Sequence, residues 1–330
     1  MKAVTFRDFG GPEVLKLAEV DRPQPGADDV LVRIHAAGIC YHDVLSRGGK
    51  IQGGRPGGIL GHEIAGEIAS VGGGVARERV GERVVIYQRL FCGTCRHCLS
   101  GRQDLCRNSR VLGEQGGGGY AEFACVPARN VIRIPVGLDM TAAALAVCPI
   151  GTSVRAALGV ARLEPGQTVL ITGAGGGVGS AALQIARAFG LRAVGVASAG
   201  KKDFVESLGA VHVPSGPDLA ARVRAAAADG VDGVYDLVGG EVLDEAATLL
   251  TDPTKLVTAG APAPQVEKLG GSRVARARTA AVLDAVAQLV VNGDLDPHVT
   301  QTFPLDRAGE ALRTVEDGHA RGKIVIEVGP

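Results

Sequence analysis

The sequence predicts an α/β protein with two domains, one β-rich and one built on a doubly wound parallel sheet. At 330 residues, the chain is long enough for two domains. Short apolar runs interrupted by dense glycine fill the first third, which is typical of an irregular β-barrel or sandwich. The middle third alternates buried-type strands with helical stretches, and this rhythm predicts a doubly wound parallel sheet.

The elements follow this division along the chain. In the first third, the runs 30–35 and 81–86 read as strands, and glycines cluster at 48–61, 72–74 and 116–119. In the middle third, we predict strands at 168–172, 192–197, 210–213, 233–238 and 255–260, with helices at 178–189 and near 202–208. The chain closes with a helix near 281–291 and a strand at 323–328.

Composition limits the classes of partner. Lysine plus arginine equal aspartate plus glutamate at 35 each, so no basic field indicates nucleic acid or a membrane surface. The longest apolar stretch, near 142–160, contains Pro149 and Arg155 and is too interrupted to span a bilayer. Seven cysteines, four of them clustered, favour a reducing compartment, so we expect a cytoplasmic protein that acts on a small molecule.

Four cysteines have the spacing of a zinc knuckle. A tetrahedral Zn²⁺ takes four soft or nitrogen ligands, and four thiolates leave no open position, so this metal would be structural. The alternatives are a disulfide pair or an accidental cluster, but two-residue spacers suit chelation better than disulfide geometry. The predicted ligands are Cys92, Cys95, Cys98 and Cys106.

A glycine-rich loop follows the strand at 168–172 and opens a helix. Its glycines let the backbone approach a pyrophosphate, and the helix N-terminus offers amide donors. The alternative is a tight turn without a cofactor, but the context favours a dinucleotide. The predicted cofactor residues are Gly173, Gly175, Gly176, Gly177, Val178 and Gly179.

The end of the next strand bears on the choice of cofactor. An acidic residue there usually holds the unphosphorylated ribose of NAD(H), yet no carboxylate stands between Ala197 and Lys202. Ser198 and Lys202 stand there instead and suit a 2′-phosphate, so the sequence favours NADP(H) over NAD(H). Alternatively, the lysines at 201 and 202 are simply solvated residues at a helix start.

Several further segments resemble a known family. The stretch from Gly61 to Val75 fits G-H-E-x2-G-x5-G-x2-V at every fixed position, and the cysteine knuckle fits the family's structural zinc lobe. The segments 116–123 and 322–325 also resemble segments of the same family. Over nearly its whole length the chain resembles zinc-containing medium-chain dehydrogenases/reductases, the alcohol dehydrogenase family. That resemblance implies a GroES-like catalytic domain at 1–143 and 292–330, with a zinc lobe at 91–108, and an inserted Rossmann domain at 144–291.

The resemblance also implies a second, catalytic zinc, hence two zinc ions per chain. Cys40, His62 and Cys148 would bind this zinc, and Glu63 would tune it or join it transiently. Thr152 matches a position that contacts the nicotinamide, as Val178 does. Taken singly, each of these cysteines and the histidine could be an ordinary buried residue. We expect a homo-oligomer, a dimer or a tetramer.

One position departs from the family pattern. Family members commonly carry Ser or Thr two residues after the zinc cysteine, where the hydroxyl relays the proton of the alcohol. His42 occupies that place, and the apolar Val44 and Leu45 replace the histidine that is common a few residues later. An imidazole can relay a proton near neutral pH, or His42 can be a structural group beside Asp43; both interpretations stay open.

The sequence leaves three functions open. The first is zinc-dependent hydride transfer between NAD(P)(H) and an alcohol, aldehyde or ketone. The second is reduction of an activated C=C bond, as in acryloyl-CoA-type or quinone reductases, whose glycine loop is similar to residues 173–179. The third is a non-catalytic nucleotide-binding relative, against which the intact candidate zinc ligands argue.

Overall fold

Two compact units make up the chain. The computed structural model describes residues 1–51, 54–113, 117–146, 150–151, 163–274, 280–318 and 320–329. The first unit comprises Met1–Cys148, Ala277–Ala287 and Val299–Pro330, and the second comprises Pro149–Arg276 and Gln288–His298. The domain limits expected from the sequence, 1–143 with 292–330 and 144–291, stay a prediction.

Strands account for most of the first unit and for the centre of the second. In chain order they are β1 Lys2–Thr5, β2 Lys16–Glu19, β3 Asp29–Gly38, β4 Glu63–Val71, β5 Arg83–Ile86, β6 Arg89–Leu90, β7 Arg110–Val111, β8 Phe123–Pro127, β9 Val131–Arg133, β10 Thr168–Thr172, β11 Arg192–Ala197, β12 Val211–Pro214, β13 Gly233–Asp236, β14 Leu256–Thr258, β15 Ser272–Arg273, β16 Val299–Pro304 and β17 Lys323–Glu327.

The α-helices of the described residues are short, between four and twelve residues each. In chain order they are α1 Tyr41–Arg47, α2 Arg96–Leu99, α3 Met140–Leu145, α4 Gly177–Ala188, α5 Lys202–Ser207, α6 Leu219–Ala226, α7 Gly240–Ala247, α8 Ala263–Lys268, α9 Ala280–Val291 and α10 Ala308–Glu316. None of the helices within the described ranges combines the length and the apolar character that a membrane crossing requires.

The first unit is built around a seven-stranded sheet. Its order is β16-β17-β3-β4-β5-β9, with β8 also paired to β3. All of these pairs are antiparallel except β16 with β17. The ten-residue β3 lies at the centre, and its Val30, Val32 and Ile34 are buried in the core with Ile68 of β4. A sheet of this kind, with short glycine-turned strands, is the β-rich domain that the sequence predicts.

The second unit is a parallel sheet in the order β12-β11-β10-β13-β14-β15. Every pair is parallel, so the carboxyl ends of the strands share one edge. Buried residues cover both faces: Leu183 of α4 packs on one side, and Val223 of α6 and Leu243 of α7 pack on the other. The strand order reverses between β10 and β13, which is where such sheets bind their ligands.

The predicted fold class is confirmed. Strands β10 and β11 have the predicted bounds, because each is an apolar run that ends at a turn. Strand β13 ends at Asp236, two residues before the predicted end, and β14 is shorter by one residue at the start and two at the end. These two strands stop early because their last polar side chains bind the loops that follow, as shown below.

Candidate metal and cofactor sites

Three predicted zinc ligands or neighbours converge in the first unit. The Sγ atom of Cys40, a ring nitrogen of His62 and a carboxylate oxygen of Glu63 lie within 4.8 Å of one another. Cys40 immediately precedes α1, whereas Glu63 is the first residue of β4 and His62 immediately precedes that strand. Because β3 pairs with β4, residues far apart in sequence reach one place. Their donor set, one thiolate, one imidazole and one carboxylate, is chemistry that zinc accepts.

Asp43 fixes the orientation of the His62 ring. Oδ1 of this buried carboxylate lies 3.1 Å from Nδ1 of His62. A carboxylate accepts, so Nδ1 of the neutral ring carries the hydrogen and Nε2 keeps its lone pair for a metal. A carboxylate that holds the far nitrogen of a zinc-binding histidine is a recurrent arrangement. The residues therefore fit a zinc ion on this count as well.

The remaining contacts of Asp43 tie the site together. Oδ2 accepts hydrogen bonds from the Tyr120 hydroxyl at 2.9 Å and from the Cys40 amide at 3.2 Å. Oδ1 also accepts from the amide of Gly61 at 3.3 Å. Gly61 has a φ of +94°, and a Cβ there would run into the Tyr120 ring. One carboxylate thus holds both chain segments that supply candidate ligands.

The electrostatics of this group follow from burial and from the histidines. Burial alone would raise the pKa of Asp43, but the neighbouring His62 and His42 and the hydrogen bond from Tyr120 outweigh it and hold that pKa below its usual value. Burial first, and then the charge of Asp43, raises the pKa of Tyr120 well above its ordinary value. The phenol therefore stays protonated and serves Asp43 as a donor.

Glu63 forms a buried ion pair. Its Oε2 lies 2.7 Å from Nζ of Lys323, and the side chains of Lys323 and Glu63 are 5% and 1% exposed. The same ammonium donates to the carbonyl of Ile39 at 2.6 Å, which ties β17 to the residue before Cys40. A cation nearby offsets part of the cost of burying a carboxylate. The ammonium group of Lys323 is this cation, and the ion pair holds Glu63 next to Cys40 and His62.

His42 lies next to the cluster. Its ring and that of His62 meet edge to face, with centroids 5.3 Å apart. It occupies the first turn of α1, one residue before Asp43, and is partly exposed. The far end of α1 is anchored by buried Arg47, which donates to Gly10 O and pairs with Glu316 of α10 at 2.7 Å. This placement is compatible with both interpretations of His42.

The four knuckle cysteines form a second cluster in the first unit. Their sulfurs lie within 4.8 Å of one another. The contacts are 3.5 Å for Cys95 with Cys98, 3.6 Å for Cys106 with Cys92, and 3.9 Å for Cys92 with Cys98. A tetrahedron with Zn–S bonds of about 2.3 Å has edges of about 3.8 Å. These distances fit four thiolates on one zinc, and all four cysteines are free rather than disulfide-bonded.

The local backbone favours thiolate at one of these sulfurs. The amides of Thr94 and Cys95 donate to Cys92 and lower the pKa of its thiol to about 5. Burial, opposed by an amide hydrogen bond and reinforced by the other three sulfurs, raises the pKa of Cys98 to about 12. Close thiols cannot all lose their protons without a cation among them. The lobe is held by the pairing of β6 with β7, so the loop carries its ligands on a short hairpin.

The glycine loop of the second unit links β10 to α4. Gly176 precedes the helix, and its amide donates to Gly173 O at 3.1 Å, while Ala174 N donates to Val196 O of β11. Gly177, Val178 and Gly179 form the first turn, and the backbone carbonyl of Gly173 would obstruct a side chain at Gly179. The loop therefore lies at the carboxyl edge of the sheet, beside the point where strand order reverses.

The two lysines after β11 differ in position. The Lys202 side chain is 61% exposed and lies 4.0 Å from Glu206 of its own helix. A Cβ on Gly175 would collide with the Lys201 side chain, so Lys201 lies over the glycine loop. Ser198 is exposed just after β11. Lys201 thus lies nearer to Gly175 of the predicted cofactor loop than Lys202, the lysine that the sequence analysis names as a cofactor contact.

Two predicted site residues lie outside the described residues. These are Cys148, the third predicted ligand of the catalytic zinc, and Thr152, the predicted nicotinamide contact. Their roles stay predictions that rest on the family resemblance.

Comparison with known proteins places the chain. Residues 26–136 match the family model of the alcohol dehydrogenase GroES-like domain, and residues 208–326 match that of zinc-binding dehydrogenases. The chain belongs to the medium-chain dehydrogenase/reductase family of NAD(P)-dependent oxidoreductases. The sequence resemblance is thereby confirmed, as is the combination of a GroES-like and a Rossmann-type domain.

Individual relatives are similar over their whole length. An NAD-dependent alcohol dehydrogenase of Sulfolobus acidocaldarius is 33% identical over 99% of this chain and 100% of that protein. An acryloyl-coenzyme A reductase of Metallosphaera sedula is 30% identical over 99% of each. The solved structure of a cobalt- and zinc-bound thermostable alcohol dehydrogenase from Pyrobaculum aerophilum is 29% identical, with a TM-score of 0.84 over 99% of both chains.

Sequence reasoning missed two residues that shape the metal cluster. Tyr120 and Lys323 contact Asp43 and Glu63 from segments distant in sequence. Both residues lie in segments that resemble the family, 116–123 and 322–325. Nothing in the sequence spacing of these two residues indicates a role at the site.

Proposed function

We propose that this protein is a zinc-dependent dehydrogenase/reductase that transfers hydride between NAD(P)(H) and an alcohol, aldehyde or ketone. The observation that carries the proposal is the convergence of Cys40, His62 and Glu63 within 4.8 Å. Asp43 leaves Nε2 of His62 available to a metal. Cys148 completes the proposed set by resemblance. When bound, zinc would act as a Lewis acid on the substrate oxygen and lower the pKa of an alcohol.

The residues of the chain divide the remaining work. Asp43 and Tyr120 orient His62, and Lys323 holds Glu63 beside the ligands. In the proposed mechanism, His42 takes the alcohol proton during oxidation and returns it during reduction. The dinucleotide supplies or accepts the hydride, and the proposed loop 173–179 binds its pyrophosphate.

A second candidate is reduction of an activated C=C bond. The 30% identity with the acryloyl-coenzyme A reductase, over nearly the full length of both, favours it. In that reaction hydride adds to the β-carbon and a proton to the α-carbon, so the substrate oxygen need not exchange a proton with His42. Substrate choice therefore distinguishes the two candidates.

The test combines metal analysis with a substrate panel. Protein purified without chelator is analysed for zinc, and we expect two ions per chain, one in each cluster. Aldehydes, ketones, enones and acyl-CoA thioesters are then assayed with both reduced cofactors, before and after zinc removal. Zinc-dependent carbonyl reduction supports the first candidate. Turnover of enones or thioesters alone supports the second. One zinc per chain and no turnover would leave only nucleotide binding.

We also propose a preference for NADP(H). No carboxylate stands between Ala197 and Lys202, and Lys201 lies over the glycine loop. Against this, the relative from S. acidocaldarius is named as NAD-dependent. Titration of NADPH and NADH decides, with Lys201→Ala, Lys202→Ala and Ser198→Ala compared. Loss of a charge-assisted phosphate contact would cost about 1.5–3 kcal/mol for NADPH only. Equal wild-type affinities would reject the preference.

Assembly and location are part of the same proposal. We expect a dimer or tetramer in the cytoplasm, on the basis of the family and of the free clustered cysteines. Light scattering of the purified protein measures the first, and a monomer would contradict it.

A further inference from the structure

A second buried carboxylate, distant in sequence from the metal clusters, organises the cofactor side of the parallel sheet. Asp236 is the last residue of β13 and is 0% exposed. Its Oδ1 accepts from the Thr172 hydroxyl at 2.7 Å and from the amides of Val238 and Gly239 at 3.1 Å. Its Oδ2 accepts from the Thr258 hydroxyl at 2.6 Å and from the Gly239 amide at 3.0 Å.

The two threonines end the strands on either side of β13. Thr172 is the last residue of β10 and Thr258 the last of β14, and both are fully buried. Each hydroxyl donates to Asp236 and accepts in turn: Leu237 N donates to Thr172, and the amides of Gly260 and Ala261 donate to Thr258, all at 3.0 Å. The three side chains thus bind the loops that follow β13 and β14.

The loops pack against each other at backbone distance. A Cβ on Gly260 would overlap the backbone of Leu237 and Val238, and one on Gly173 would press on the same two residues. Among the described residues, no Lys, Arg or His forms an ion pair with Asp236. Burying a carboxylate served only by neutral donors is unfavourable compared with an apolar residue. The arrangement therefore points to a role beyond stability.

The strand order shows which part of a dinucleotide these loops would face. In a sheet of this order the pyrophosphate lies at the first glycine loop, here after β10, and the end of the second strand, β11, takes the adenosine ribose. The other half of the cofactor then crosses the reversal point toward β13 and β14. The loops at 237–239 and 259–261 follow those two strands.

We propose that Asp236, with Thr172 and Thr258, is a positioning group for the nicotinamide half of the dinucleotide. The three side chains hold the loops 237–239 and 259–261 in one arrangement before the cofactor binds. They act through those loops and do not touch the reacting atoms. This inference rests on the dinucleotide binding of the proposed function, and it names the residues that set where the reactive ring lies.

The test compares binding of the two cofactor halves. Thr258→Val removes the hydroxyl and leaves a side chain of nearly the same shape. We expect NADPH and NADH to bind about tenfold to a hundredfold more weakly, while ADP and 2′,5′-ADP, which lack the nicotinamide, bind within about twofold of wild type. Thr258→Ser keeps the hydroxyl and should restore affinity. Thr248→Val, an exposed threonine of the same unit, is the matched control.

A spectroscopic measurement keeps the test decisive if affinities change little or ADP binds weakly. The fluorescence of bound reduced nicotinamide, recorded at saturation, reports the surroundings of the ring. It should differ from wild type in Thr258→Val and in Thr172→Val, and match wild type in Thr248→Val and Thr258→Ser.

The outcomes separate this inference from the proposed function. Equal weakening of NADPH and ADP would show a general loss of structure and overturn the positioning role. Unchanged affinity together with an unchanged spectrum would overturn it as well. A wild-type protein that binds neither NADPH nor NADH would instead refute the proposed function, whatever the variants do.

Discussion

The knuckle of four cysteines and the Cys40–His62–Glu63 cluster lie in the same unit but are built in different ways. All four knuckle cysteines come from one loop of fifteen residues, from Cys92 to Cys106, and their sulfurs lie within 4.8 Å of one another. The Cys40–His62–Glu63 cluster, called the mixed cluster below, takes its candidate ligands from two segments joined by β3 and β4. The knuckle can assemble almost locally, whereas the mixed cluster requires the folded sheet.

The groups that contact the candidate ligands differ between the two clusters as well. In the knuckle, backbone amides donate hydrogen bonds to the sulfur of Cys92. The mixed cluster is held by buried side chains that contact one another or the candidate ligands: Asp43, Tyr120 and Lys323. A closed site needs only a stable tetrahedron, but a site that does chemistry must hold each ligand in one orientation. The difference supports the proposal that the knuckle stabilises the fold and that the mixed cluster is the catalytic site.

The largest expected effect is on stability, from a knuckle variant that should lower the melting temperature much more than the turnover. Cys95→Ser removes a thiolate from the knuckle, and structural zinc sites contribute about 10–16 kcal/mol of apparent binding free energy in isolated peptides. We expect the variant to lose one zinc per chain and to melt at a lower temperature, with turnover of the folded fraction changed less than about tenfold. Cys125→Ser, a half-buried cysteine outside both clusters, is the control. Loss of turnover without loss of stability would reverse the two assignments.

The next effect concerns the proposed catalytic site alone. If His42 relays the proton, His42→Ala should lower turnover about 10²–10⁴-fold at unchanged zinc content, as expected for a positioned acid/base group. His42→Ser restores the hydroxyl that relatives carry and should recover part of the activity. Turnover and bound zinc are measured on the same samples.

Two other results would count against the relay. An alanine variant with full turnover would exclude it. A variant that loses zinc and thermal stability in proportion to activity would give His42 a structural role beside Asp43. In that case serine would restore nothing, because its hydroxyl cannot replace the packing of the imidazole against His62.

The contrast between the clusters also explains what the sequence could predict. The knuckle and the motif at 61–75 are local patterns, so their residues are recognisable from spacing alone. Tyr120 and Lys323 reach the mixed cluster across 77 residues to Asp43 and 284 residues to Ile39, and no local pattern encodes such contacts. The ends of some strands could not be predicted from the sequence for the same reason. Strand β13 stops at Asp236 because that carboxylate binds the amides of Val238 and Gly239.

The smallest expected effect tests whether the hydrogen bond from Tyr120 to Asp43 matters for the mixed cluster. Tyr120→Phe removes one hydrogen bond to Asp43 while the ring keeps its place over Gly61. Loss of a group that hydrogen-bonds directly to a metal ligand, as Asp43 does to His62, lowers metal affinity about 10–100-fold. Tyr120 contacts Asp43 rather than a candidate ligand, so we expect zinc affinity to fall about tenfold or less. The readout is competition with a chelator, followed by Co²⁺ absorption, because S₄ and mixed donor sets give different spectra.

The weakening should be confined to the mixed cluster. The phenol donates to Oδ2 of Asp43, and Oδ1 of the same carboxylate holds His62, so loss of the hydroxyl loosens the imidazole and leaves the knuckle untouched. Tyr87→Phe, another buried tyrosine of this unit, whose ring packs against Phe91, is the matched control. Equal weakening at both clusters would mean that the unit as a whole has loosened. Unchanged affinity at the mixed cluster would show that Asp43 orients His62 without help from Tyr120.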